Sequence, residues 1–130
     1  MNQIRNHDGG VGGRETIFSV RGRVRKGEGK GTALGFPTVN IPCPANIPSG
    51  IFAGEVWWRG RKYPAALYKN TTKEILEAHI LDFSGNVYGE EIRITAFKKI
   101  RDTQQFADTD LLIAVISEDI KAITKLCLRG

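Results

Sequence analysis

The 130-residue chain contains only two cysteines, two histidines and one methionine. Cys43 and Cys127 are too few for a disulfide framework, and His7 and His79 give them no spacing suited to structural zinc. Both thiols are therefore expected to be buried or inert. Long apolar runs are missing as well. None approaches the roughly 20 residues that cross a bilayer, and Met1 to Arg14 carries Gly, Asn and Asp where a secretory signal needs an apolar stretch. The expected location is cytoplasmic. Strands do not alternate with helices, which argues against doubly wound and P-loop folds. There is no internal repeat, and the length suits one ordinary domain, with no room for a second well-cored one.

Hydrophobic residues at 41% and charged residues at 25% are what a soluble globular domain carries. Nineteen basic against fourteen acidic side chains give a net charge of +5, a balance that favours anionic partners. The cations Arg14, Arg21, Arg23, Arg25, Lys26 and Lys30 crowd into a glycine-rich stretch. Glycine backbone can aim several amides at one anion without side-chain obstruction, so this pairing suits phosphate. The loop Gly27-Glu28-Gly29-Lys30-Gly31 is not a P-loop, because Gly31 follows Lys30 where Ser or Thr is required. On spacing alone it reads equally as a phosphate cradle or as a plain hairpin loop.

Residues 1–14, with four glycines and no apolar periodicity, read as a disordered tail ahead of one domain over residues 15–130. Alternation predicts strands over Thr16–Val24, Phe36–Ile41, Ile51–Trp58, Lys62–Tyr68, Ile75–Phe83 and Glu91–Lys98. Gly22 marks a bulge or a close backbone approach. Pro42, Pro44 and Pro48 keep the second connection from being helical, and Ser84-Gly85-Asn86 is a hairpin signal. Leu112, Val115, Ile116, Ile120, Ile123 and Cys127 recur at helical spacing, with Asp108 or Thr109 placed to cap. The architecture predicted from these elements is mainly β, a small six-stranded antiparallel Greek-key barrel with one C-terminal α-helix.

The densest motif is Gly31-Thr32-Ala33-Leu34-Gly35-Phe36-Pro37-Thr38-Val39-Asn40. Its Gly-Phe-Pro-Thr-x-Asn element resembles the signature of the riboflavin kinase (flavokinase) family. The resemblance continues collinearly through Pro48-Ser49-Gly50-Ile51-Phe52, Glu77-Ala78-His79-Ile80-Leu81-Asp82-Phe83, Tyr88-Gly89, and Ile100-Arg101 with Phe106. It spans roughly Val20 to Leu126.

The resemblance implies a stand-alone kinase that transfers the γ-phosphoryl of ATP to the 5′-hydroxyl of riboflavin, giving FMN, with Mg²⁺. Thr38 and Asn40 would face the metal and the nucleotide phosphates, and Glu77 would be the catalytic carboxylate. Gly27, Gly29, Lys30 and Gly31 would close over ATP, with Ile80, Asp82 and Tyr88 near the nucleotide. Arg101, Gln104 and Phe106 fall where the family contacts flavin. His79 reads as a structural neighbour of Glu77 and Phe106 equally as a core plug. Two departures stand out: Thr32 occupies a position usually basic in the family, and residues 63–77 are shortened, lacking the family's Gly-x-x-Pro-Thr element. The expected partners are the small molecules ATP and riboflavin, the expected state is a monomer, and no membrane is expected. The alternatives are a flavin- or nucleotide-binding relative without turnover and a basic barrel for nucleic acid. The latter is disfavoured because Trp57, Trp58, Tyr63 and Tyr68 are not interleaved with the basic cluster.

Overall fold

The structure, a computed structural model, describes residues 15–26, 35, 37–83, 85–105 and 108–129. The 1–14 tail, the Gly27–Gly31 loop and Phe106 lie outside the described residues. Six strands follow one another, β1 Phe18–Arg23, β2 Val39–Pro42, β3 Gly50–Trp58, β4 Arg61–Lys69, β5 Ile75–Ile80 and β6 Glu91–Arg101, and the chain ends in helix α1, Thr109–Arg129. All pairs are antiparallel and the order across the sheet is β1-β6-β3-β4-β5-β2.

The two edge strands come together. The Arg25 amide donates to the Asn40 carbonyl at 2.7 Å, and a Cβ at Gly22 would lie 3.1 Å from that of Ile41. The curled sheet is therefore a nearly closed barrel, and Gly22 is the close approach that its place in a strand predicts. β3 shifts register against β6 between Ile51 and Phe52 and again between Ala53 and Gly54. Bulges of this kind bend a strand and let a sheet curl. At Gly54 the backbones pack so tightly that any Cβ would collide with the Thr95 carbonyl.

Inward-facing residues fill the barrel: Phe18 and Val20 of β1, Ile41 of β2, Phe52 and Val56 of β3, Leu67 of β4, Leu76, Ala78 and Ile80 of β5, and Ile92 and Ile94 of β6. Phe18 and Phe52 meet edge to face, with ring centroids 5.1 Å apart. A smaller apolar cluster lies outside. Ala53, Ala66 and Leu81 present a shallow surface on which Ile120, Ile123, Leu126 and Cys127 of α1 rest. The apolar stripe of α1 thus docks mainly through its C-terminal half. Asp108 caps the helix, its carboxylate accepting from the Asp110 amide at 2.9 Å.

Several boundaries differ from the sequence reading, and one element is of another kind. β5 ends at Ile80, and the stretch through Ser84-Gly85-Asn86 is not a hairpin turn, because β5 pairs with β4 and β2 while β6 pairs with β1 and β3. Residues 81–83 and 85–90 instead belong to a crossing segment at an end of the barrel. Asp82 takes a left-handed conformation (φ 48°), Val87 is buried in the core, and the Gly89 amide donates to the Val24 carbonyl at 3.0 Å. Cys43 is buried as expected, and its desolvation pushes the thiol pKa up. Cys127 is half-buried.

Candidate functional site

Strand register places the predicted site residues. Asn40 pairs with Glu77, Glu77 with Tyr68, Tyr68 with Ile51 and Ile51 with Arg101. One line therefore runs across β2, β5, β4, β3 and β6. On β5, Leu76, Ala78 and Ile80 point into the core, so Glu77 and His79 project from the outer wall. Asn40 lies between the inward-facing Val39 and Ile41 and shares that wall with Glu77. It is nevertheless only 6% exposed. Strands about 4.8 Å apart put Arg101 roughly 14 Å of backbone from Glu77, the reach of an extended small molecule.

Pro37 and Thr38 lead into β2, and His79 holds them there. Its Nδ1 lies 2.7 Å from the Pro37 carbonyl oxygen. A carbonyl only accepts, so Nδ1 carries the proton in this bond. The reading of His79 as a structural neighbour of Glu77 agrees with this contact.

The other positions implied for nucleotide contact surround the barrel seam. Ile80 turns its side chain into the core, so only its backbone faces outward. Asp82 is exposed on the crossing loop, and Tyr88 is 50% exposed at the following turn. That turn is fixed from two sides. Asn86 Oδ1 accepts from the Tyr88 amide at 3.0 Å, and Arg23 donates to the Gly89 carbonyl at 2.7 Å. Since Gly89 bonds to Val24 and Arg25 to Asn40, the Tyr88 turn and Asn40 flank the same short stretch just after β1.

On the flavin side, Gln104 is exposed in the segment after β6. Arg101 is held by a residue the sequence reading missed, Asp119 of α1, which is 5% exposed. Arg101 Nε donates to both Asp119 oxygens at 3.0 and 3.2 Å, and one terminal nitrogen donates to Oδ2 at 2.8 Å. The other terminal nitrogen donates to the Asp102 carbonyl at 3.0 Å. The bonds from Asp119 hold the Arg101 pKa above its usual value. Each terminal nitrogen keeps one further N–H for a ligand. Asp119 could have been noticed in the sequence, because it lies three residues after Ile116 and four before Ile123, an acid on the apolar stripe.

Tyr68 was also missed. Its hydroxyl is buried and has no hydrogen-bond partner among the described residues. Desolvation, then Asp119, raises the phenol pKa well above its usual value, and Arg101 opposes this. The phenol is therefore a neutral donor.

The β4–β5 connection is closed by side-chain contacts. Asn70 Oδ1 accepts from both the amide and the hydroxyl of Thr72 at 2.9 Å, a side-chain-made turn. Lys69, 2% exposed, donates to the Asn70 carbonyl at 2.7 Å. Away from this line, Arg21, Arg93, Trp57 and Lys62 are mutually paired across β1, β6, β3 and β4. The Arg93 guanidinium lies 5.2 Å and the Lys62 ammonium 5.8 Å from the Trp57 ring centroid. The sheet thus sets Trp57 between its hairpin neighbour Lys62 and Arg93, which is distant from it in sequence.

Among the described residues no group of three or more His, Cys, Asp or Glu side chains is arranged to hold a metal. No described helix is long and apolar enough to cross a membrane. Among the described residues, the Asn40 amide is an oxygen donor paired across from Glu77, and the Thr38 hydroxyl is carried two residues before Asn40. Such a sparse, hard set fits Mg²⁺, which takes most of its ligands from phosphate and water, and would not suit zinc.

Fold and site define a class: a small antiparallel barrel with one helix on its outside and a line of paired residues, with a carboxylate near one end and an arginine at the other, running across its strands. The family model for riboflavin kinase (flavokinase) matches residues 14–127, and the chain belongs to that family. It is 36% identical over 111 residues to the bifunctional riboflavin kinase/FMN adenylyltransferase of Escherichia coli K12, covering 78% of this chain and 36% of that protein. It is 33% identical over 110 residues to the protein of the same description in Mycoplasma pneumoniae, covering 80% and 40%. The chain thus spans little more than a third of the length of these curated relatives. Among solved structures, riboflavin kinase from Trypanosoma brucei superposes with a TM-score of 0.61 at 22% identity, covering 86% of this chain and 80% of that one, a likeness of fold. A Streptococcus pneumoniae structure described as a macrolide-efflux protein superposes with a TM-score of 0.71 at 25% identity, covering 82% of this chain and 38% of that one.

Proposed function

We propose that the chain phosphorylates riboflavin at its 5′-hydroxyl with MgATP, giving FMN and ADP. The observation that carries this reading is the single line Asn40–Glu77–Tyr68–Ile51–Arg101. It puts a residue suited to metal and phosphate on one side of a carboxylate and a cation suited to flavin on the other. The acceptor hydroxyl lies at Glu77, whose carboxylate orients it and takes its proton as the new P–O bond forms and the bond to ADP breaks. Thr38, on the segment fastened by His79, and Asn40 would hold Mg²⁺, which when bound offsets charge on the phosphates. The remaining N–H groups of Arg101 meet acceptors on the flavin. Gly27, Gly29, Lys30 and Gly31 cover the ATP phosphates, with Ile80, Asp82 and Tyr88 beside the nucleotide and Gln104 and Phe106 beside the flavin. One barrel domain over residues 15–130 is sufficient for this chemistry.

The test is incubation with riboflavin, ATP and Mg²⁺, followed by chromatographic separation of FMN, for the native chain and for Glu77→Gln. The native chain is expected to form FMN. The variant keeps the size of the side chain but cannot take the proton, so kcat should fall roughly 10²-fold or more, while flavin binding, followed by fluorescence, survives. No FMN from the native chain, or a native kcat in the variant, overturns the reading.

A further inference from the structure

Tyr68 sits in the middle of the site with an unused donor. A buried hydroxyl without a partner costs stability, so a phenol kept in that state calls for a role in some other state of the molecule. Two carboxylates surround it: Asp119, across on α1, and Glu77, directly opposite on β5. Asp119 already accepts three N–H bonds from Arg101. Glu77 projects from the same wall, one strand away, at the spacing where cross-strand side chains meet.

We infer that Tyr68 is a positioning residue for Glu77: its hydroxyl donates to one carboxylate oxygen once the acceptor alcohol engages the other. Hydrogen bonds of this kind are often long in a free enzyme and tighten only with substrate in place. The raised phenol pKa keeps Tyr68 in the donor form throughout. With one oxygen fixed, the other faces the alcohol in a single orientation, and phosphoryl transfer depends heavily on such positioning. The inference rests on the phosphotransfer reading above and adds a residue that neither the motifs nor the chemistry of the reaction singled out.

Steady-state FMN formation is measured for the native chain, Tyr68→Phe, Glu77→Ala and the double variant, and for Asp119→Asn alone and combined with Tyr68→Phe. Phenylalanine keeps the ring and removes only an unpartnered hydroxyl, so the melting temperature should hold or rise. In Tyr68→Phe we expect kcat to fall about tenfold, the scale of one lost hydrogen bond to a charged group, with KM for both substrates within twofold. Glu77→Ala leaves no carboxylate to hold, so adding Tyr68→Phe to it should cost nothing more. Losses that multiply in the Tyr68–Glu77 pair, a change confined to KM, or a kcat within twofold of native would each overturn the inference. Non-additivity with Asp119→Asn in place of Glu77→Ala would also overturn it, assigning the hydroxyl to the helix contact. A native chain that forms no FMN, or a Glu77→Ala variant of native rate, fails the phosphotransfer reading itself, and is seen without any Tyr68 variant.

Discussion

The inside of the barrel and its outer wall are built from the same strands by opposite rules. Inside, every second residue is aliphatic or aromatic, and stability comes from removing these side chains from water and packing them closely. Outside, along the line from Asn40 to Arg101, the side chains are polar except for Ile51, come from five strands, and are held by directed contacts from neighbouring elements, such as Arg101–Asp119. The interior makes the fold and tolerates little loss of volume. The wall contributes less to folding and carries groups whose value depends on where they point.

Perturbing the interior should produce the largest effect. Phe52→Ala empties a fully buried site and removes the edge-to-face contact with Phe18. It should cost about 3–5 kcal/mol, read as a drop in the urea midpoint large enough to leave the chain partly unfolded. On the wall, Asp119→Ala strands Arg101, which is partly exposed and can recover water. A loss of about 2 kcal/mol is expected, below the 3–5 kcal/mol typical of breaking a fully buried pair. A loss as large as that of Phe52→Ala would erase the distinction between the two surfaces.

A third perturbation addresses an end of the barrel and is the smallest. Glu90 accepts from the Trp58 indole at 3.0 Å and from Arg59, and these bonds, the indole first, lower its pKa below the usual 4.5. A group with a depressed folded-state pKa contributes stability that is present above its unfolded-state pKa and is lost as pH falls through the folded value. Glu90→Gln should therefore be slightly less stable than the native chain at pH 7, with the difference closing below pH 4.5. Urea midpoints measured from pH 7 to pH 3 check this, and a gap that widens toward acid would reverse the sign.

The contrast also explains what could be read from the sequence. The alternation of Ile92, Ile94 and Ala96, or of Leu76, Ala78 and Ile80, is a local property, so the strands and the barrel were legible residue by residue. Asn40, Glu77 and Arg101 were named through motif resemblance, and register then put them on one line, an arrangement no local pattern contains. Asp119 escaped because its partner Arg101 is 18 residues away, and Tyr68 because the burial of its hydroxyl and its place opposite Glu77 follow from tertiary packing and register. The Ser84-Gly85-Asn86 signal misled because turn chemistry reports that a chain bends. Whether the flanking strands then pair is decided by barrel closure, which sends β6 to lie between β1 and β3.

The His79 ring ties together two stretches of chain that are 42 residues apart. Its link uses the Nδ1 proton and the Pro37 carbonyl. That contact joins the entrance to β2, where Thr38 lies, to the strand that carries Glu77, so a displacement of either segment drags the other with it.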